Sequence, residues 1–288
     1  MTRKNIQPIV VCAALLALYM NLLAQDKLTV APEPPIFDRV QLEIGGRYTG
    51  LISGSIQGQE SPSPDPNAPS YDLNDLGVNH GYALFANLKL ALTKDDAISA
   101  SFSYNRLSGE TNLPKPIVFD DVLIPAASAT TTVQGGITDL LYHRHFSLPK
   151  SSAWNLELNG GIRQFLFATE VKPRSGTGDQ EDLIAPLVPA IGAILSYRPG
   201  TRWEFALDVS GSAPGDVVAI TDESVDVAYW TAGLVAGYRP GRNIEVRSGL
   251  YLSGLNLDFE GTESDQDHGH NSLEILAIQP TVSVSVRF

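Results

Sequence analysis

Charged residues of both signs recur inside stretches that otherwise alternate apolar and polar side chains: Glu43, Arg47, Lys89, Glu157, Arg163, Asp208, Glu245, Arg247 and Arg287. Charges set deep in such stretches suit two chemistries, a network of salt bridges or a charged path for a small solute. A second constellation lies near the end of the chain, in EGTESDQDHGHN from Glu260. There Glu263, Asp265, Asp267, His268 and His270 offer carboxylates and imidazoles, both ligands of divalent cations. The segment lacks the Gly and Glu positions of a calcium loop, and a solvated acidic loop has the same composition. A third pair, Asp139 and His143, shares one strand phase but is separated by about 13 Å along an extended chain, so it forms no dyad by itself. Asp267 and His268 are adjacent and would point to opposite faces of a strand. No Ser–His pair is singled out by spacing.

The elements that carry these residues are strands. Side chains of a strand point alternately to its two faces, so a period of two marks a strand with one apolar and one polar face. The final stretch, LAIQPTVSVSVRF, puts Val282, Val284, Val286 and Phe288 on one face and Ser283, Ser285 and Arg287 on the other. Nine similar stretches precede it, at about 38–56, 80–93, 97–108, 130–146, 153–170, 186–198, 202–212, 225–239 and 243–257. Between them, short connections at 94–96, 147–152, 199–200 and 240–241 alternate with long polar ones at 57–79, 109–129, 171–185, 213–224 and 258–271. Tyr197-Arg198-Pro199-Gly200 and Tyr238-Arg239-Pro240-Gly241 repeat one another, each before a strand with an early Glu. Pro-Gly suits the centre of a type II turn, so the repeat reads as a turn solution without chemistry of its own. The segment Ile117 to Pro125 reads as a short apolar hairpin within an external loop.

Composition narrows the class. The 288 residues carry a formal net charge of −12, which argues against nucleic acid as a partner. The chain begins with Arg3 and Lys4 followed by an apolar run from Ile9 to Leu23, the pattern of a signal peptide over residues 1–24. The single cysteine, Cys12, lies within it, so the mature chain would have no disulfide. Residues 25–36 are rich in proline and read as a periplasmic linker.

The terminal strand ending on Phe288 resembles the C-terminal signal strand of bacterial outer-membrane β-barrels. That resemblance implies recognition by the barrel assembly machinery through Val282, Val284, Val286 and Phe288. Aromatic residues at strand ends, charges on the opposite face and the leader point the same way, with the apolar face outward. Short turns facing the periplasm and longer external loops also fit. The expected fold is all-β: a transmembrane antiparallel up-and-down β-barrel of ten strands over residues 37–288, in the cell outer membrane. Ten strands lie near the size at which side chains fill the lumen. The expected function is non-enzymatic, a structural or interaction barrel with a largely plugged lumen and external loops facing lipopolysaccharide. A narrow solute channel and a hydrolase at the outer rim remain alternatives. Outer-membrane proteases of the omptin family are also ten-stranded, but their Asp-x-His element has no evident match. No cofactor is expected beyond a divalent cation at the last loop.

Overall fold

A computed structural model describes residues 40–57, 60–61, 70–119, 122–148, 153–173, 179–184, 187–212, 216–218, 224–263 and 267–288. The leader and the linker assigned from the sequence lie outside the described residues. Ten long strands form the wall: β1 (Val40–Gln57), β2 (His80–Ala91), β3 (Asp96–Asn112), β4 (Ser128–Ser147), β5 (Trp154–Pro173), β6 (Val188–Tyr197), β7 (Trp203–Ser212), β8 (Ser224–Tyr238), β9 (Ile244–Glu263) and β10 (Asp267–Arg287). Each pairs antiparallel with its neighbours in the chain, and β10 pairs with β1 to close the barrel. The seam aligns Gln41 with Arg287 and Glu43 with Ser285. Closure leaves no unpaired strand edge, which a sheet in lipid requires.

The alternation orients the side chains as expected. Leu84, Leu140, Leu207, Leu250 and Val282 are exposed on the outside, and Leu234 there is 68% exposed. Inward positions on the same strands are buried or half-buried. An exposed apolar surface running round a closed barrel is the signature of a lipid-facing band. Aromatic rings edge it. Trp154 packs against Tyr197 at 4.7 Å between ring centroids, and Trp203 against Tyr238 at 4.9 Å, at the short-turn end. Tyr48 and Tyr82 are exposed at the other end.

β1 departs from strict alternation. Leu51 pairs with Ala277 and Ser53 with Leu276, so Ile52 is an extra residue, a bulge that reverses the parity above it. Ile56 therefore faces the lumen and is buried.

The connections differ from expectation at the long-loop end. The ladder of β9 and β10 continues to Glu263 opposite Asp267, through a segment that reads as a loop in the sequence. Likewise Asp179–Ile184 continues along β5, and β3 and β4 stay paired to Asn112 and Ser128. Above the lipid, backbone pairing persists without the apolar alternation that marks a strand in sequence. The expected hairpin forms, with Ile117 opposite Ile124 and Phe119 opposite Val122.

The segment 71–79 folds back onto the barrel. Tyr71 and Asp72 pair with β1, the Leu73 N–H donates to the Gly54 carbonyl, and the Leu51 N–H donates to the Asn79 carbonyl. Gly77 has a positive φ of 80°. A side chain there would meet the backbone of Glu110, and one at Gly109 would meet the backbone of Gly77. Glycine at both sites lets the two chains touch.

Candidate functional site

The lumen is filled in layers. At the short-turn end, three glutamates and four arginines interlock. Glu245, only 1% exposed, accepts from Arg239 Nε at 2.7 Å and from Arg247 Nε and Arg287 Nη2 at 2.8 Å. Glu204 accepts from Arg198 Nε at 2.8 Å and Arg239 Nη2 at 2.9 Å. Glu43 accepts from the Ser283 hydroxyl at 2.6 Å and lies 3.5 Å from Arg247. Arg198 and Arg239 sit beside the two Pro-Gly turns and reach back to the glutamate six residues on. The repeat thus holds an ion pair as well as a turn. Such charges are tolerated because each carboxylate is shared among several guanidinium donors.

Above this layer, on β2 to β5, lies a chain of hydrogen bonds. Ser99 Oγ is 2.7 Å from His143 Nε2, and His143 Nδ1 is 2.8 Å from Glu157 Oε1. Lys89 Nζ donates to both oxygens of Glu157 at 2.8 and 2.7 Å. Register explains the meeting. His143 faces Ala97 and Asn159, and Glu157 faces His145, so Ser99, His143 and Glu157 are diagonal neighbours on three adjacent strands. Lys89 stands directly opposite Ser99. Ser99 and His143 are both buried.

The middle of the lumen holds a cavity of about 220 Å³, bordered by Ser99, His143, Arg47, Arg163, Asp139 and Asp208 among others. Arg163 grips Asp139 at 2.6 and 3.1 Å and lies over the Tyr229 ring. Tyr251 donates to Asp208 at 3.2 Å. The Arg47 guanidinium lies over Phe85 and Tyr251, at 4.7 and 5.3 Å from their centroids. These rings lie flat because glycine faces them across the strands: Gly45 opposite Phe85 and Gly233 opposite Tyr251. A methyl group at either glycine would strike the ring.

The long-loop half is apolar. Phe165, Phe167 and Tyr229 pack with Val133, Val171, Leu257 and Leu273 from the wall, and with Leu73, Leu76 and Val78 from the folded-back segment. Ile117 and Ile124 of the external hairpin join this cluster. Phe165 meets Phe167 at 6.3 Å and the edge of Tyr229 at 5.5 Å. These inward rings pack the lumen and leave no open vestibule among the described residues.

Glu43, Arg47, Lys89, Glu157, Arg163, Asp208, Glu245, Arg247 and Arg287 lie on lumen-facing positions, divided between the lower ion layer, the Lys89–Glu157 pair and the cavity wall. Both face the lumen, but Arg287 and Glu43 have different partners. Gln41 faces Arg287 across the seam, and Glu245 on β9 lies diagonal to it and takes its guanidinium. Asp139 and His143 make no pair, each having its own partner. The Ser99–His143–Glu157 chain escapes sequence reasoning because Ser99 is separated from His143 by the long connection between β3 and β4. Of the metal candidates, Asp265 lies outside the described residues, as do the side chains of Glu263, Asp267, His268 and His270. Their backbone pairing sets Glu263 opposite Asp267. Val282, Val284 and Phe288 are exposed on the lipid-facing side, and Val286 shares their phase.

A closed antiparallel barrel with an apolar, aromatic-edged exterior and a polar lower lumen is the fold of bacterial outer-membrane β-barrels, and that exterior places the chain in the outer membrane. No protein-family model matches the sequence, and no curated protein matches it. Among solved structures, it is similar to the outer-membrane protease OmpT from Escherichia coli, with 13% identity, a TM-score of 0.51, and coverage of 91% of this chain and 100% of that one. It also aligns with the translocator domain of the autotransporter NalP from Neisseria meningitidis, at 15% identity, TM-score 0.41 and 98% coverage of both chains. A third match is the toluene transporter TodX from Pseudomonas putida, at 12% identity, TM-score 0.32, and 92% and 93% coverage. At these identities the likeness to the protease concerns the fold alone.

Proposed function

We propose that this protein is a closed-lumen outer-membrane barrel of structural or interaction type, working through its externally facing connections and not as a passage for solutes. The observation that carries this reading is the apolar cluster across the long-loop half, into which Leu73, Leu76 and Val78 fold. Close packing of this kind leaves an ion only a few buried hydroxyls, such as Thr131 and Thr169, along its path. The lower ion layer supports the same reading, since its charges are engaged with one another. Insertion by the barrel assembly machinery, through the strand ending at Phe288, and contact of the acidic connections with lipopolysaccharide and its bridging cations belong to this proposal.

Planar-bilayer recording of the refolded protein tests it. A closed lumen gives no unitary steps, whereas steady ion-selective steps would favour the narrow channel and overturn the reading. The hydrolase alternative at the outer rim rests on His268 and His270, whose side chains lie outside the described residues.

A further inference from the structure

We propose that Ser99, His143 and Glu157 form a nucleophilic acyl-transfer centre facing the lumenal cavity, with a short acyl ester as its substrate class. The inference goes beyond the closed-barrel reading and is compatible with it, since a small neutral ester needs entry to the cavity from one side only and no passage through the barrel. Three features support it together: the two hydrogen bonds in series, 2.7 Å from Ser99 Oγ to His143 Nε2 and 2.8 Å from His143 Nδ1 to Glu157 Oε1; the burial of the serine and the histidine; and the cavity both border. A serine bonded to a histidine, itself oriented by a carboxylate, is the arrangement that activates a hydroxyl for attack. It is recognised by geometry, whatever the fold or the chain order.

Ser99 and His143 are the catalytic residues. Glu157 and Lys89 position them. With its Nδ1–H donated to Glu157, His143 presents an unprotonated Nε2 to the serine. Lys89 offsets the buried carboxylate from the other side. Asn87 and Asn159, on β2 and β5, border the same cavity and carry amide donors for a developing oxyanion.

The step balances with water as the only co-reactant. Ser99 Oγ forms a bond to the ester carbonyl carbon and its proton passes to His143 Nε2. The tetrahedral adduct breaks the bond to the leaving oxygen, which takes that proton and departs as the alcohol. Water then attacks the acyl group on Ser99, giving one proton to His143. The carboxylic acid leaves, and the proton returns to Ser99 Oγ. A volume of about 220 Å³ restricts the acyl and alcohol parts to a few carbons each. For scale, a cavity of about 150 Å³ accommodates benzene.

The test uses the full-length folded protein in detergent micelles, with di-isopropyl fluorophosphate as the probe. Fold is checked by the mobility of the unheated barrel on a gel, and the labelled residue is read by peptide mass. The expected result is one phosphoryl adduct, on Ser99, with Ser101 and Ser103 of the same cavity unlabelled. Ser99→Ala abolishes it. His143→Asn lowers the maximal labelling rate by about 10⁴-fold, the order seen when a triad member is lost. Replacing Glu157 and Lys89 together, by Gln and Met, keeps the local charge balanced. It lowers the maximal rate but leaves the half-saturating probe concentration unchanged, which a merely structural role would not do. No adduct on Ser99 in the wild-type protein overturns the proposal, as does equal labelling of Ser101 or Ser103. If His143→Asn does not fold, the wild-type and Ser99→Ala results decide by themselves.

Discussion

Arg287, the penultimate residue, donates to Glu245 at 2.8 Å, on the strand just before its own, and so ties the closing strand to the lower ion layer. Glu245 is shared with Arg239 and Arg247. Removing it leaves three buried or partly buried guanidiniums with one carboxylate fewer. Glu245→Ala should therefore destabilise the barrel by about 3–5 kcal/mol, the cost of breaking a buried ion pair from one side. Urea-induced unfolding in lipid vesicles measures this, and a loss below about 1 kcal/mol would contradict the picture.

Phe288 is exposed at the lipid-facing end of β10, and its backbone exchanges hydrogen bonds with Val40. Its deletion should lower the amount of protein in the outer membrane while leaving refolding into detergent in vitro nearly intact. Fractionation and unheated gels, run side by side, separate recognition of the strand from its stability. Equal outer-membrane levels would remove the signal role.

Leu73 is fully buried in the apolar cluster although it comes from a connection. Leu73→Ala should cost about 2–5 kcal/mol, as for a buried leucine elsewhere. Deleting residues 71–78 should go further and produce conductance steps absent from the wild type. Recordings that stay silent after the deletion would show that the remaining wall residues close the lumen unaided.

Leu234 points outward between the two aromatic edges. Leu234→Arg should cost about 2–4 kcal/mol in a phospholipid bilayer, the penalty for Arg near the midplane. Equilibrium folding into vesicles reads this, and a neutral result would place that face away from lipid.

Gly233 lies beneath the Tyr251 ring. Gly233→Ala should lift the ring off the wall, break the Tyr251–Asp208 hydrogen bond and fill part of the cavity. A change in Tyr251 ring signals in the spectrum of the refolded barrel would report it.

The strands were legible because lipid enforces alternation: on β1 and β5, for example, a one-residue slip would expose Glu43 or Arg163 to hydrocarbon. Arg163 and Glu157 could face only inward for that reason. The bulge at Ile52 was not legible, since a single extra residue leaves no mark in a local pattern. Nor were the strand extensions to Asn112 and toward Glu263, where polar residues replace the apolar alternation. The partners of inward charges depend on stagger between strands, which long connections do not specify. Hence the facing direction of Ser99, His143 and Arg287 was readable, but not whom each would meet.

The Tyr-Arg-Pro-Gly repeat has a consequence for ancestry. Around both turns the same parts recur: the tyrosine packs on the tryptophan directly opposite it on the preceding strand, and the arginine clasps the glutamate six residues later. Each hairpin carries its own arginine–glutamate clasp, and the bond from Arg239 to Glu204 locks the second unit onto the first. Tyr197 to Glu204 and Tyr238 to Glu245 read as two impressions of one die.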